Sequence, residues 1–150
     1  MTKLDHIDDA ILRELSRNGR LSNIELADRV GLSASACLRR VAALERGGVI
    51  SGYRAVVSPE TRGIGFVAYI AVALNDHTKK SQLAFEGAMN RAPQVIECHN
   101  ITGTVEYLLR VEVSDLAAYK VFHTDILGTL PQVHGLTTYV VMGSPKDARA

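Results

Sequence analysis

Between Ser33 and Arg46 the chain places Ser35, Arg39, Ala42 and Arg46 three or four residues apart, with Arg40 beside Arg39. At about 100° per residue these four share one side of a helix. Cys37, Val41 and Leu44, spaced i, i+4, i+7, cluster within about 60° of arc on the other side, which marks the buried face. A face of short polar, Arg, small, Arg is narrow enough to enter a major groove. It also carries donors that read guanine edges or hold phosphate. An amphipathic surface helix with solvated arginines has the same pattern, so the neighbouring elements must decide between the two.

Those neighbours form a helical framework. Apolar Ile7, Ala10, Ile11 and Leu15 predict a helix over Asp5–Asn18, with Asp5, Asp8 and Asp9 at the dipole's positive end. Ser22 and Glu25 form a capping-box pair for a second helix that should bury Ile24, Leu26, Ala27 and Val30 and stop at Gly31. Ser33 caps the third helix. Ala27 is small where the helices must cross, Gly31 permits a tight turn, and Cys37 comes six residues later as a buried contact. A helix-turn-helix unit needs such residues at such spacings. Gly47-Gly48 ends the third helix, and Val49-Ile50 with Tyr53–Val57 predicts a wing-like strand.

Ser58–Gly63 has turn chemistry, and beyond it the periodicity changes. Gly65–Leu74 is nearly continuous apolar and predicts a buried strand. Lys79–Arg91 predicts a helix with Leu83, Phe85, Ala88 and Met89 inward, closed by Pro93. Val95–Thr102 and Val105–Val113 predict two strands around a tight Gly103-Thr104 turn. Ser114 or Asp115 caps a helix with the stripe Leu116, Tyr119, Phe122, Ile126, ending at Gly128, and Val133–Met142 predicts the last strand. The order βαββαβ is that of the ferredoxin-like sandwich. The expected class is therefore α+β: a winged-helix-like helix-turn-helix domain over 1–50, a strand and linker over 51–63, a ferredoxin-like domain over 64–143, and a flexible tail over 144–150.

Composition excludes several classes. The net charge of +1 argues for no partner by itself, although residues 1–58 hold nine Lys/Arg, eight of them Arg, against seven Asp/Glu. No run reaches the roughly 18 apolar residues of a membrane span, and the N-terminus lacks the pattern of a signal peptide. Two cysteines without metal-like spacing, Cys37 and Cys98, suit a reducing cytosol, so a cytoplasmic location is expected. Cys98 and His99, neighbours on a strand, point to opposite faces and do not share a metal with His123 or His134. No nucleophile–base–acid set stands out. No metal, no cofactor and no enzymatic activity are expected.

The segments LDHIDDAIL, NGRLSNIELADRVGLSASACLRRVAALERGGVISGY, IECHNITGTVEYLL and TTYVVM resemble the Lrp/AsnC (feast/famine) family of transcriptional regulators, over residues 4 to 143. The resemblance implies double-stranded DNA as a partner, contacted by Ser33, Ser35, Arg39, Arg40, Ala42 and Arg46. It also implies dimers formed through the sheets, assembly to tetramers or octamers, and an amino-acid-like effector between dimers. The family's effector motif G-D-(Y/F)-D-Y reads Gly103-Thr104-Val105-Glu106-Tyr107 here. The implied effector set is Thr102, Gly103, Thr104 and Glu106, with Leu136 and Thr138 facing a neighbouring dimer. Thr104 and Val105 depart from the motif, which leaves two alternatives open: an architectural DNA-binding protein without an effector, or an enzyme resembling the siroheme decarboxylases on the same scaffold.

Overall fold

Asp5 starts the first helix, α1 (His6–Arg17), because its carboxylate accepts the otherwise unpaired N–H groups of Ile7 and Asp8, each at 2.9 Å. Asp8 returns the bond by accepting from the Asp5 N–H at 3.2 Å. A computed structural model describes residues 4–147; of the tail expected over 144–150, residues 148–150 lie outside the described residues. The chain divides into two units, Met1–Ala55 and Val56–Ala150.

In the first unit, Ser22 and Glu25 cap α2 (Asn23–Val30) reciprocally, as expected from their spacing. Gly31 ends it at φ 69°, a left-handed conformation that costs glycine nothing. Helix α3 spans Ala34–Arg46. Ile11, Leu26, Ala27, Cys37 and Leu44 form the core of the three helices, with Val41 and Ile50 packed at its edge. Ile24, expected inside, is 74% exposed. Leu26, Ala27 and Val30 share an arc of about 100° on α2, and Ile24, in the first turn, lies about 60° beyond its edge.

The strand expected over Tyr53–Val57 does not form: residues 51–58 belong to no sheet and are exposed throughout. An extended segment becomes a strand only when a neighbour takes up its N–H and C=O groups.

In the second unit, four strands form one antiparallel sheet in the order β2-β3-β1-β4: β1 (Phe66–Leu74), β2 (Val95–Asn100), β3 (Tyr107–Val113) and β4 (Val133–Val140). Helix α4 (Lys79–Arg91) joins β1 to β2, and α5 (Leu116–Val121) follows β3. This is the ferredoxin-like topology. β1 is central, with Ile70 paired to Leu109 on one side and Thr138 on the other. Ala68, Ile70, Val72 and Leu74 pack with Phe85, Met89, Leu109, Val111, Phe122 and Leu127 under the helices. Gly65 is required at the entry to β1, where a Cβ would lie 2.4 Å from the Ser114 carbonyl oxygen.

Three expectations are corrected here. Leu83, 56% exposed, lies two residues from Phe85 and therefore on the outer side of α4. Leu116, 65% exposed, stands in the first turn of α5. That helix does not run on to Gly128 as one α-helix. It widens into a π-helical turn at Phe122–Ile126 and closes in a short 3₁₀ turn at Leu127–Thr129. The wider turn brings Phe122 and Leu127, five residues apart, into the same core.

The tight hairpin is likewise replaced by a longer loop. β2 ends at Asn100 and β3 begins at Tyr107, and the loop between is closed by Ile101 N–H to Glu106 C=O at 2.9 Å. Glu106 turns to β1 instead, its N–H donating to Val72 C=O at 3.1 Å.

Where β3 starts, Tyr107 is buried against Phe85 and donates its hydroxyl to Glu86 Oε1 at 2.7 Å. Burial, and then the Glu86 carboxylate, push the phenol up to about 12. Its ordinary value is about 10. Above that the unfolded chain ionises while the folded phenol stays neutral, so stability falls as pH rises from about 10 to about 12. The difference between wild type and Tyr107→Phe over that window should be roughly 3 kcal/mol in urea titrations. Parallel pH profiles for the two proteins would show that Tyr107 carries no such shift.

Candidate nucleic-acid interface and effector pocket

Ser33 fixes where α3 begins, its hydroxyl accepting from Ala36 N–H at 3.3 Å. Cys37 and Leu44 are buried and Val41 half-buried, so the inner face lies where the i, i+4, i+7 spacing puts it. Turned away from it, Ser35, Arg39 and Arg46 are exposed together, while Ala42 is half-buried. Leu38, 57% exposed beside Arg39, belongs to the same outer surface and was not anticipated. An apolar side chain there can meet a thymine methyl.

Arg40 does not share that surface. Its Nη1 lies 2.8 Å from Asp5 Oδ2 and 2.8 Å from Asp8 Oδ1, the two carboxylates that cap α1. The Asp8 N–H and the Arg40 guanidinium hold the Asp5 carboxyl below the usual carboxylate range. Service as a phosphate ligand would require Arg40 to leave both. This partnership spans more than thirty residues of chain, which is why no local pattern announces it.

In the second unit, Thr102, Gly103 and Thr104 are exposed at the tip of the β2–β3 loop, with Gly103 at φ 134°. Glu106 points back into the fold. Its Oε2 accepts the Leu74 N–H at 2.7 Å, where the β1–β4 register shifts, and its Oε1 lies 3.3 Å from His77 Nδ1. Leu136 packs against the core and Thr138 bonds the Tyr119 hydroxyl.

Thr138 also lines an open cavity of about 620 Å³ with Leu116, Ala117, Tyr119, Lys120 and His123. None of Thr102, Gly103, Thr104 and Glu106 lines it, so a single chain holds the two halves of the expected effector set apart. Of the cavity's lining, Leu116 and Tyr119 belong to the expected core stripe, and Lys120 and His123 follow Leu116 at i+4 and i+7 beside it. Among the described residues no group of three or more His, Cys, Asp or Glu gathers as a metal site, and no helix is long and apolar enough to cross a membrane.

Comparison with known proteins adds identity to this geometry. A family described as the Lrp/AsnC ligand binding domain matches residues 67–150, and a winged helix-turn-helix DNA-binding family matches residues 4–51. The leucine-responsive regulatory proteins of Salmonella typhimurium and Escherichia coli are each 39% identical over 145 residues, covering 97% of this chain and 88% of theirs. Among solved structures, a transcriptional regulator of Neisseria meningitidis in complex with L-Met superposes with a TM-score of 0.92 at 36% identity, covering 97% of this chain and 94% of that one. An AsnC family transcriptional regulator of Agrobacterium tumefaciens gives a TM-score of 0.90 at 29% identity, covering 96% and 94%.

The Glu106 contacts generate a stability prediction. Glu106→Ala should destabilise the fold by about 1–3 kcal/mol by leaving the Leu74 N–H without its acceptor, and Glu106→Gln, which keeps an acceptor, by less. Chemical denaturation of the two variants checks this, and an unchanged midpoint for Glu106→Ala would assign the carboxylate no structural part.

Proposed function

We propose a mode of action from one premise: this chain belongs to the Lrp/AsnC family of transcriptional regulators. It is a DNA-binding regulator with a winged helix-turn-helix and a ligand-binding domain. Within that frame residues 1–50 read DNA, 51–63 link, and 64–143 assemble and sense. The chain works in the cytoplasm, as no enzyme and without a metal or cofactor.

The observation that carries the DNA-reading assignment is the outer surface of α3, where Ser35, Arg39 and Arg46 stand clear of a face pinned by Cys37 and Leu44. Ser35 and Arg39 read base edges. Arg46 and the capped start of α3 at Ser33 meet phosphates, and Ala42 leaves room for the backbone. A second copy covers the sheet face opposite the helices, where Val67, Ala71 and Leu108 alternate with core-facing neighbours. The two-fold pair then reads half-sites about one helical turn apart. Dimers assemble further to tetramers or octamers.

The effector is an α-amino acid with an apolar side chain. Support comes from the cavity beside Thr138, mostly apolar with Lys120 at hand for a carboxylate. The relatives named for leucine and solved with L-Met support it too. Thr102, Gly103, Thr104 and Glu106 of another dimer complete the site, with Leu136 behind Thr138.

Mobility shifts on the protein's own upstream region, joined to light scattering with each amino acid in turn, test both halves. Arg39→Ala should cost about 1–3 kcal/mol in operator binding and relax specificity at one position. Undiminished binding by that variant would remove Arg39 from the reading face. Thr138→Leu, which fills the cavity, should abolish any response of assembly to L-Met or L-Leu while leaving DNA binding in place. A preserved response would move the effector elsewhere.

A further inference from the structure

Helix α3 is held against its own unit by apolar contacts and, among the described residues, by three side-chain tethers. Cys37, Val41 and Leu44 set its depth, but apolar packing is non-directional and tolerates some rotation about the helix axis. The tethers are directional. At the start of α3, Asn23 Nδ2 donates to the Ala34 carbonyl at 2.7 Å. At its end, the Tyr53 hydroxyl donates to Glu45 Oε1 at 2.9 Å. In the middle, Arg40 Nη1 reaches Asp5 Oδ2 and Asp8 Oδ1, both at 2.8 Å.

The central tether differs from the others in what it grips. Asp5 and Asp8 are themselves fixed by reciprocal capping bonds to the backbone of α1. Arg40 is therefore bound to groups that cannot follow a rotation of α3 without uncapping α1. Arg39, the next residue, projects about 100° around the helix from Arg40. Any slip at Arg40 is a slip of Arg39.

We infer that Arg40 is a positioning residue: anchored to the Asp5–Asp8 cap, it sets the azimuth at which Ser35 and Arg39 meet base edges, and it does not contact phosphate. This rests on α3 being the DNA-reading helix, and it reverses the part first expected of Arg40.

The two parts make opposite predictions. Phosphate contacts supply sequence-independent affinity, and each lost contact flattens the salt dependence, lowering the slope of log K against log salt by about 0.9. Azimuth matters only for base contacts, so its loss falls on specific binding. Removing Asp5 and Asp8 sharpens the contrast, because it makes the domain more positive. General electrostatics then favours DNA binding, whereas loss of the anchor weakens specific recognition.

The experiment uses the full chain, a duplex enriched from a random-sequence pool by the wild-type protein, and a scrambled duplex, titrated over a range of KCl. Arg40→Gln should lose about tenfold on the enriched duplex, the equivalent of one weakened base contact. It should keep the wild-type salt slope and nearly wild-type affinity for the scrambled duplex. Asp5→Ser/Asp8→Ala, which keeps a capping hydroxyl at position 5, should lose specificity similarly despite its added positive charge.

A slope lowered by about one with equal losses on both duplexes would make Arg40 a phosphate contact and overturn the inference. So would an unchanged ratio of enriched to scrambled affinity in either variant. Circular dichroism and a thermal melt accompany each titration, and if Arg40→Gln does not fold, the Asp5→Ser/Asp8→Ala chain decides the outcome by the same ratio. Failure of the DNA-reading assignment shows differently, as an Arg39→Ala chain that still prefers the enriched duplex as wild type does.

Discussion

A recognition surface made of exposed side chains is only as well defined as the buried surface behind it. In this chain that support is the face of α3 formed by Cys37 and Leu44, held among Ile11, Leu26 and Ala27. A small thiol and a small alanine let the helices approach closely, and the many weak dispersion contacts of that close approach set the depth at which α3 sits. Arg39 and Ser35 are exposed because the buried Cys37 and Leu44 fix which side of α3 faces the core. The caps at Asp5, Ser22 and Ser33 serve the same end, since each fixes where a helix begins and hence the phase of every residue after it.

The second unit uses a different device. Its sheet is organised about β1, paired on both edges and apolar along its length. Glu106 stands at the end of that strand. Its carboxylate completes the backbone of β1 where the pairing with β4 slips by a residue, so the acid that a ligand would seek is already part of the architecture. The cavity beside α5 has the complementary character, mostly apolar, with the hydroxyls of Tyr119 and Thr138 and the Lys120 side chain at its lining. One part of the proposed effector site is thus stiff and the other open.

Much of this was legible in the residues alone. The three helices, their caps, the inner face of α3 and the βαββαβ order all follow from local rules of periodicity and capping, which depend on neighbours within a turn or two. Several failures occur where the deciding partner is remote in sequence. Arg40 is matched by carboxylates more than thirty residues away. Glu106 is claimed by the Leu74 N–H on the neighbouring strand, thirty-two residues away. Ile24, Leu83 and Leu116 look like core residues by type, yet each stands outside the arc its neighbours bury. Tyr53–Val57 has the composition of a strand, but strand formation depends on a partner that the composition of one segment does not specify.

The complete enclosure of Cys37 has a practical meaning. Burial pushes its thiol up, away from the reactive thiolate, and closes it to reagents in the folded unit. Alkylation at that position therefore proceeds only when the three-helix unit opens, and when reclosing is fast its rate reports the population of the open form. A chemical clock thus sits at the back of α3. It runs only while that helix is not where it should be.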